Sequence, residues 1–515
     1  MDVKIIGHIF KIALAALSAA IISTGLSPAQ MKEKSDKPGA SKEIIEMKDD
    51  DNTVTIDEKK QEPGADTDKQ EQKGDITSDE APPSEEDEGE LEEGKKGPRF
   101  KFKGQAKNLY TFHRTDNYYG GNPLTMSSKN LSADLTRARL SPEFQYRELL
   151  TIKLDFDNEL IWSNYGRSRD LTAYWRPSEY NDFLDLTWEP HRGPDIYYRM
   201  KIHRAYVKVS VDKFTATVGR QQIRFGSGKL WNPLDILNPI SPTFVEGGDE
   251  QKGTDAVKLD FYPEDTTEIT AVVDLKKSNN KIERFNLQDC NYIARVKTTV
   301  KDADIAILGG YVSRRGVAGF DFAAILFDGL IRGSVIASQA GDSYISKNDP
   351  WYRQWYALRY LIPGRDIKQG FYFQANAGYE YTFKKGVYLL VEYFFNQKAL
   401  NYNKDEKMAS YAAQFNAMNQ KTYLQLANQF LTVNQHYAAV AIGYDFHPLV
   451  RGELFTIGDI QGHGIFWMPA LNINAYENLD FTVGMMGAFV FNDTMSDFSE
   501  FRKNYLFYAS GTYVF

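Results

Sequence analysis

The chain has 515 residues, among them 32 Phe, 31 Tyr and 7 Trp, a formal net charge of -8 and one cysteine, Cys290. A single thiol excludes a disulfide framework and any cysteine-based zinc or iron-sulfur cluster. Beyond the N-terminus, no stretch approaches the ~18 consecutive apolar residues of a helical membrane span.

Three regions follow one another. In residues 1–29, Lys4 and Lys11 flank the start of an apolar run from Ile12 to Ile22, followed by Ser27, Pro28 and Ala29. A basic start, a short apolar core and small residues at the cleavage positions predict an export signal cut after Ala29. Residues 30–98 hold 23 acidic against 11 basic residues and no Phe, Tyr or Trp. Such a segment cannot bury enough apolar surface to offset the entropy of ordering, so a disordered acidic tether is expected. Its run Glu85, Glu86, Asp87, Glu88 either binds a basic periplasmic partner or is simply solvated.

From Arg99 to Phe515 the charge is nearly balanced, 48 basic against 45 acidic residues, and nearly all the aromatics are here. Segments of roughly 10 to 14 residues alternate apolar and polar positions, the pattern of a transmembrane antiparallel β-barrel in an all-β fold. In 371–383, Phe371, Phe373, Ala375, Ala377, Tyr379, Tyr381 and Phe383 oppose Gln374, Asn376, Glu380 and Thr382. Aromatics at both ends with small residues between them fit a strand crossing lipid between two aromatic girdles. Residues 150–160 alternate likewise, and Tyr505, Phe507, Ala509, Gly511, Tyr513 and Phe515 close the chain on a terminal Phe. That ending resembles the signal read by the barrel-assembly machinery of outer membranes.

Tight turns are expected at Arg147-Glu148, Asp212-Lys213, 263–266, 301–303, Asp328-Gly329, 384–386, His447-Pro448 and Asn478-Leu479, with long loops near 115–130, 164–198, 226–253, 278–288 and 398–433. A closed single-chain barrel of this kind has an even strand count. A first count of nineteen becomes eighteen if 351–361 is a loop helix, which Asn348, Asp349 and Pro350 would cap. A second loop helix is expected over 418–433, where Leu424, Leu426, Phe430 and Leu431 recur at helical spacing. Eighteen strands leave room for a water-filled lumen unless loops plug it.

The stretch Gly219-Arg220-Gln221-Gln222-Ile223-Arg224-Phe225-Gly226-Ser227-Gly228-Lys229-Leu230-Trp231-Asn232-Pro233, continuing to Asn238-Pro239, resembles a motif of porin-like barrels of the alginate-export type. The resemblance implies an eighteen-stranded outer-membrane barrel over 99–515 that passes a hydrophilic solute or a polyanionic polysaccharide. Physically, the stretch reads as a strand end, a Gly226/Gly228 bend and a Pro-punctuated loop able to fold into the lumen. Arg220 and Arg224 either place fixed charge at a constriction or pin the loop to Asp235, Glu246, Asp249 or Glu250.

Alternation against apolar neighbours makes Arg137, Arg139, Lys153, Arg204, Lys208, Lys258, Arg295 and Lys297 candidates for the lumen, with Asp155, Asp157, Glu159, Asp260, Glu380, Glu392 and Glu453. Rings of one sign select ions of the other. Mixed signs leave two readings open: anion preference, or lumen charges paired with one another. An adhesin or tether built on a plugged barrel is a further alternative. Catalysis is disfavoured: HExxH, GxSxG and nucleotide-loop motifs are missing, and the seven histidines are scattered, His463 in a turn-like Gln-Gly-His-Gly. No cofactor or metal is expected, and the one strongly charged segment is acidic, which argues against nucleic acid.

Overall fold

The computed structural model describes residues 97–114, 130–164, 183–193, 195–237, 253–277, 285–312, 315–340, 370–397, 432, 434–491, 496–498 and 505–515. Its strands are β1 (Pro98–Arg114), β2 (Asn130–Tyr146), β3 (Leu150–Ser163), β4 (Thr187–Arg192), β5 (Ile196–Val211), β6 (Phe214–Gln221), β7 (Thr254–Glu264), β8 (Thr267–Asp274), β9 (Asn291–Val300) and β10 (Ala303–Val312). They continue with β11 (Arg315–Leu326), β12 (Gly329–Ala340), β13 (Gly370–Thr382), β14 (Tyr388–Asn396), β15 (His436–His447), β16 (Val450–Asp459), β17 (Gly464–Tyr476), β18 (Leu479–Val490) and β19 (Tyr505–Val514).

Each strand pairs antiparallel with its sequence neighbours, except that β3 pairs with β5, and β1 pairs with β19 from Gln105↔Val514 to Arg114↔Tyr505. With β4 standing outside the ring, the described strands form a closed barrel of eighteen. The seam is completed by Gly104 and Phe515, whose backbone amides each donate to the other's carbonyl at 2.7 and 2.9 Å. The Phe515 ring lies where a Gly104 side chain would be. Closure satisfies every ladder internally, as hydrocarbon demands.

The alternation sorts the two faces as expected. Phe371, Phe373 and Phe383 are exposed on the outside, while Gln374 and Asn376 of the same strand are buried inside. Tyr505, Phe507, Tyr513 and Phe515 face out, and Leu506 and Tyr508 face in. The short hairpins fall at the expected tight turns. Five of their residues, Arg147, Asp212, Lys301, Phe327 and Asp328, carry φ between 49° and 61°, the left-handed geometry that lets a two-residue link follow the strand twist.

One feature departs from the sequence reading. The expected loop 164–198 contains β4, which was not foreseen. It pairs with β5 from Thr187↔Lys201 to Arg192↔Tyr197, beyond the point where β6 leaves that edge at Ala205↔Arg220. The extra strand thus continues the wall where β6, only 8 residues long, stops. The described strands thus number nineteen, eighteen of them in the ring; 351–361, the segment that made the sequence count nineteen, lies outside the described residues. The expected loop helices at 351–361 and 418–433 lie outside the described residues, apart from Thr432.

Candidate functional site

Where β6 ends, the chain does not run on along the wall. Gly219, at φ 126°, opens the departure, and residues 222–237 turn inward. Ile223, Phe225, Leu234, Ile236 and Leu237 pack on the inward Ala256, Val272, Ile293, Leu308, Val312, Val317 and Ile336 of β7 to β12. Leu230 and Trp231 join a second apolar surface made by inward residues of β14 to β19, β1 and β2. The Trp231 ring stacks on Phe394 at 5.4 Å between centroids. Burying each such side chain stabilises by roughly 1.5–3 kcal/mol, an upper bound against a compact unfolded chain. The inner wall is accordingly not polar throughout: its apolar arcs are where this loop docks.

Polar contacts fix the loop's position. Glu392, fully buried on β14, accepts backbone N–H bonds from Trp231 at 2.7 Å, Leu230 at 3.2 Å and Lys229 at 3.3 Å, and a fourth bond from the Asn376 side chain at 3.3 Å. The Ser227 hydroxyl donates to the Phe322 carbonyl at 2.9 Å, and Arg332 donates to the Ser227 carbonyl at 3.1 Å. Arg332 also pairs with Glu380, which accepts from the Tyr388 hydroxyl at 2.7 Å.

Inside the loop, the Asn232 amide donates to the Phe225 carbonyl at 2.6 Å, and Arg224 donates to the Gly228 carbonyl at 3.2 Å. Gly226 has φ 90°, and a Cβ there would meet Asn232 Oδ1 at 2.1 Å; one on Gly228 would meet the Trp231 carbonyl at 2.0 Å. Pro233, buried after Asn232, holds the return. Burial, reinforced by Arg332 and Arg224 and opposed by Glu380 and Glu392, lowers the pKa of the Lys229 amine.

The remaining arc of inner wall is charged. On β2, Arg137 Nε donates to Glu159 at 2.8 Å, and Arg139 donates to both oxygens of Asp157 at 2.6 and 2.9 Å. From β5, Arg199 pairs with Glu159, and Lys201 reaches Glu159 at 3.0 Å and Asp157 at 3.8 Å. Asp155 is buried, with one oxygen lacking a hydrogen-bond partner among the described residues. Arg204 follows the bulge at His203 and donates to Gln222 at the loop's root. Lys153 and Lys208 share this face, as do Arg99, Lys101, Lys103 and Lys107 of β1. Basic groups outnumber carboxylates here.

On the opposite arc the balance reverses. Lys258 lies 3.4 Å from Asp260, and Lys297 lies 3.2 Å from Asp304. Arg295 sits over the Phe225 ring at 5.6 Å, with Glu268 and Asp321 each at 4.0 Å. Asp274, Glu380 and Glu453 pair with Lys276, Arg332 and Arg451, and Glu392 and Asp459 add two buried carboxylates. Arg220 stands apart from these. It makes a bidentate pair with Asp255 at 2.8 and 2.9 Å and donates to the Leu184 carbonyl at 2.7 Å. Its partner Asp255 is not one of the four carboxylates considered from sequence; strand pairing of Arg220 with Asp255 explains the choice.

Sequence reasoning missed Arg199, Lys201, Arg332 and the basic start of β1. Arg332 lies in a Gly-, Ala- and Ile-rich strand whose two faces look alike. The β1 residues alternate with Phe100 and Phe102, which was a readable signal.

Among the described residues, no group of three His, Cys, Asp or Glu side chains is placed to hold a metal, and His463 lies in a turn at φ 48°. No family model matches the sequence, and no curated protein does. Solved structures with a similar fold include OccAB4 of Acinetobacter baumannii, with 11% identity over 81% of this chain and 98% of that one at TM-score 0.46. OccAB3 of the same organism has 9% identity over 81% and 99% at 0.48. OccK8 (OprE) of Pseudomonas aeruginosa has 11% over 81% and 98% at 0.47. These are Occ proteins, not alginate exporters.

Proposed function

We propose that the chain is an outer-membrane channel through which small hydrophilic solutes pass passively, with residues 222–237 as the element that narrows it. The observation that carries this reading is the inward loop seated on both apolar arcs of the wall. It leaves the arc of half-buried Lys153, Arg199, Lys201, Arg204 and Lys208, backed by the buried Arg137 and Arg139, as the hydrated lane. A basic lane opposite a carboxylate-rich wall sets up a transverse field and favours small anions and dipolar solutes over cations. The loop also argues for small solutes over a polysaccharide chain such as an alginate-like polyanion, because much of the cross-section is taken by packed side chains. The exposed aromatic exterior supports a lipid location. In this reading residues 1–29 direct export and are removed, and β19, followed by Phe515, is the strand offered to the barrel-assembly machinery.

Purified protein in planar bilayers tests the proposal. Stable ionic current, with a reversal potential displaced toward that of the anion in a KCl gradient, is the expected result. A barrel that carries no current, and whose liposomes do not swell in small sugars or amino acids, overturns it.

A further inference from the structure

Lys229 lies where the lumen loop is fixed most firmly, yet its own amine is tied to nothing. Its backbone N–H and the next two donate to Glu392. The two carbonyls before it are also taken, that of Gly228 by Arg224 and that of Ser227 by Arg332. The backbone is thus pinned on both sides of residue 229, and the side chain cannot swing away with it. The amine makes no hydrogen bond and no ion pair among the described residues. It is alone in this among the charged side chains of 222–237: Arg224 donates to Gly228, and Asp235 is buried and engaged.

The groups that face the amine are already committed to other partners. Arg332 of β12 pairs with Glu380 of β13, and the Tyr388 hydroxyl of β14 donates to Glu380 at 2.7 Å. Glu392 of β14 accepts from the three loop amides and from the Asn376 side chain. These charges reach Lys229 only through space, Glu380 and Glu392 favouring its charged form and Arg332 and Arg224 opposing it. The side chain is half-buried, not sealed. Lysines taken out of water are ordinarily paired. One held on a fixed backbone without a counter-ion is placed for a ligand that comes and goes.

The same surroundings make its charge conditional. Burial and the two guanidinium groups lower the pKa of the amine, whereas an ordinary lysine titrates near about 10.4. Arg224 and Arg332 keep their charge at any working pH. Of these three cations Lys229 is therefore the one that loses its proton as pH rises, and the attraction it exerts is full below its pKa and gone above it.

We propose that Lys229 is the specificity-determining residue of the constriction: its amine meets the passing solute, favours anions while protonated, and gives up that preference as the solution turns alkaline. The selectivity rests on the channel reading; the accessibility of the amine does not.

Two experiments on the full chain decide it. Reversal potentials in a KCl gradient at about pH 6 should give Lys229→Met a chloride-to-potassium permeability ratio about two-fold below the parent, the effect of one partly screened charge. Raising the pH should bring the parent down to the level of that variant, while Lys229→Arg should keep its ratio. A parent and a Met variant that agree at the lower pH, or an Arg variant that falls as the parent does, overturns the proposal. Independently, the folded barrel in detergent is treated with a trace of acetic anhydride across the pH range, and acetylation of each lysine is read by mass spectrometry. Lys229 should be acetylated, and its rate should rise at lower pH than the rates of Lys301 and Lys385, which lie in tight turns. A Lys229 that does not react, or that follows the turn lysines, is sealed off or ordinary and overturns the proposal. If no form conducts, the channel reading fails and the selectivity with it, while acetylation still reports whether the amine is open to water and titrates early.

Discussion

Glu392 holds three successive backbone amides of the lumen loop, with no lysine or arginine salt bridge of its own among the described residues. A carboxylate in such a place does what a capping group does at a helix N-terminus: it collects N–H donors that water can no longer reach. Glu392→Gln keeps the shape and removes the charge. It should increase current noise in the open state and destabilise the barrel by about 1–3 kcal/mol, read as a lower temperature for loss of the folded band on a detergent gel. The glycines divide by the same reasoning. Gly226→Ala drives a methyl group into Asn232 at a positive φ and should loosen the loop strongly. Gly386→Ala has φ 79° but open space around it, so only a backbone cost of about 1–2 kcal/mol is expected. Melting both variants in parallel checks the contrast.

The strands were readable from the sequence because lipid outside and water inside impose a period of two that few other solvents impose. Phe371 to Phe383 shows it plainly, and a thiol-reactive dye on Phe373→Cys should be quenched by lipid-borne quenchers, while Gln374→Cys should not react from the lipid side. The same logic fails where the interior is neither water nor lipid. Inward Leu390, Phe394, Phe455 and Phe466 are apolar because a loop covers them, so their strands lose the contrast that periodicity needs. β4 was missed for another reason. Its six residues serve an edge of β5 that exists only because β6 stops early, a fact no local pattern contains. The Arg220–Asp255 pair and the Leu184 carbonyl tie that patch together. Removing one partner of a buried ion pair costs about 3–5 kcal/mol. Asp255→Ala should lower the gel-shift temperature more than the same change at the exposed Asp265, where no shift is expected.

Across the molecule, what the sequence made legible was the kind of solvent each face meets; what it hid was which charges meet each other. Arg137 with Glu159 and Arg139 with Asp157 are neighbours only through the β2–β3 register, whereas the contacts of Glu392 with residues 229–231 join positions about 160 apart in sequence. The seam between β1 and β19 has the longest such separation. Because the first strand pairs with the last one, the cylinder has two raw edges until β19 is in place. The barrel therefore cannot close strand by strand as the chain emerges from the ribosome. Any premature stop before β19 leaves both edges bare, so a truncated chain gives an unclosed sheet instead of a shorter pore.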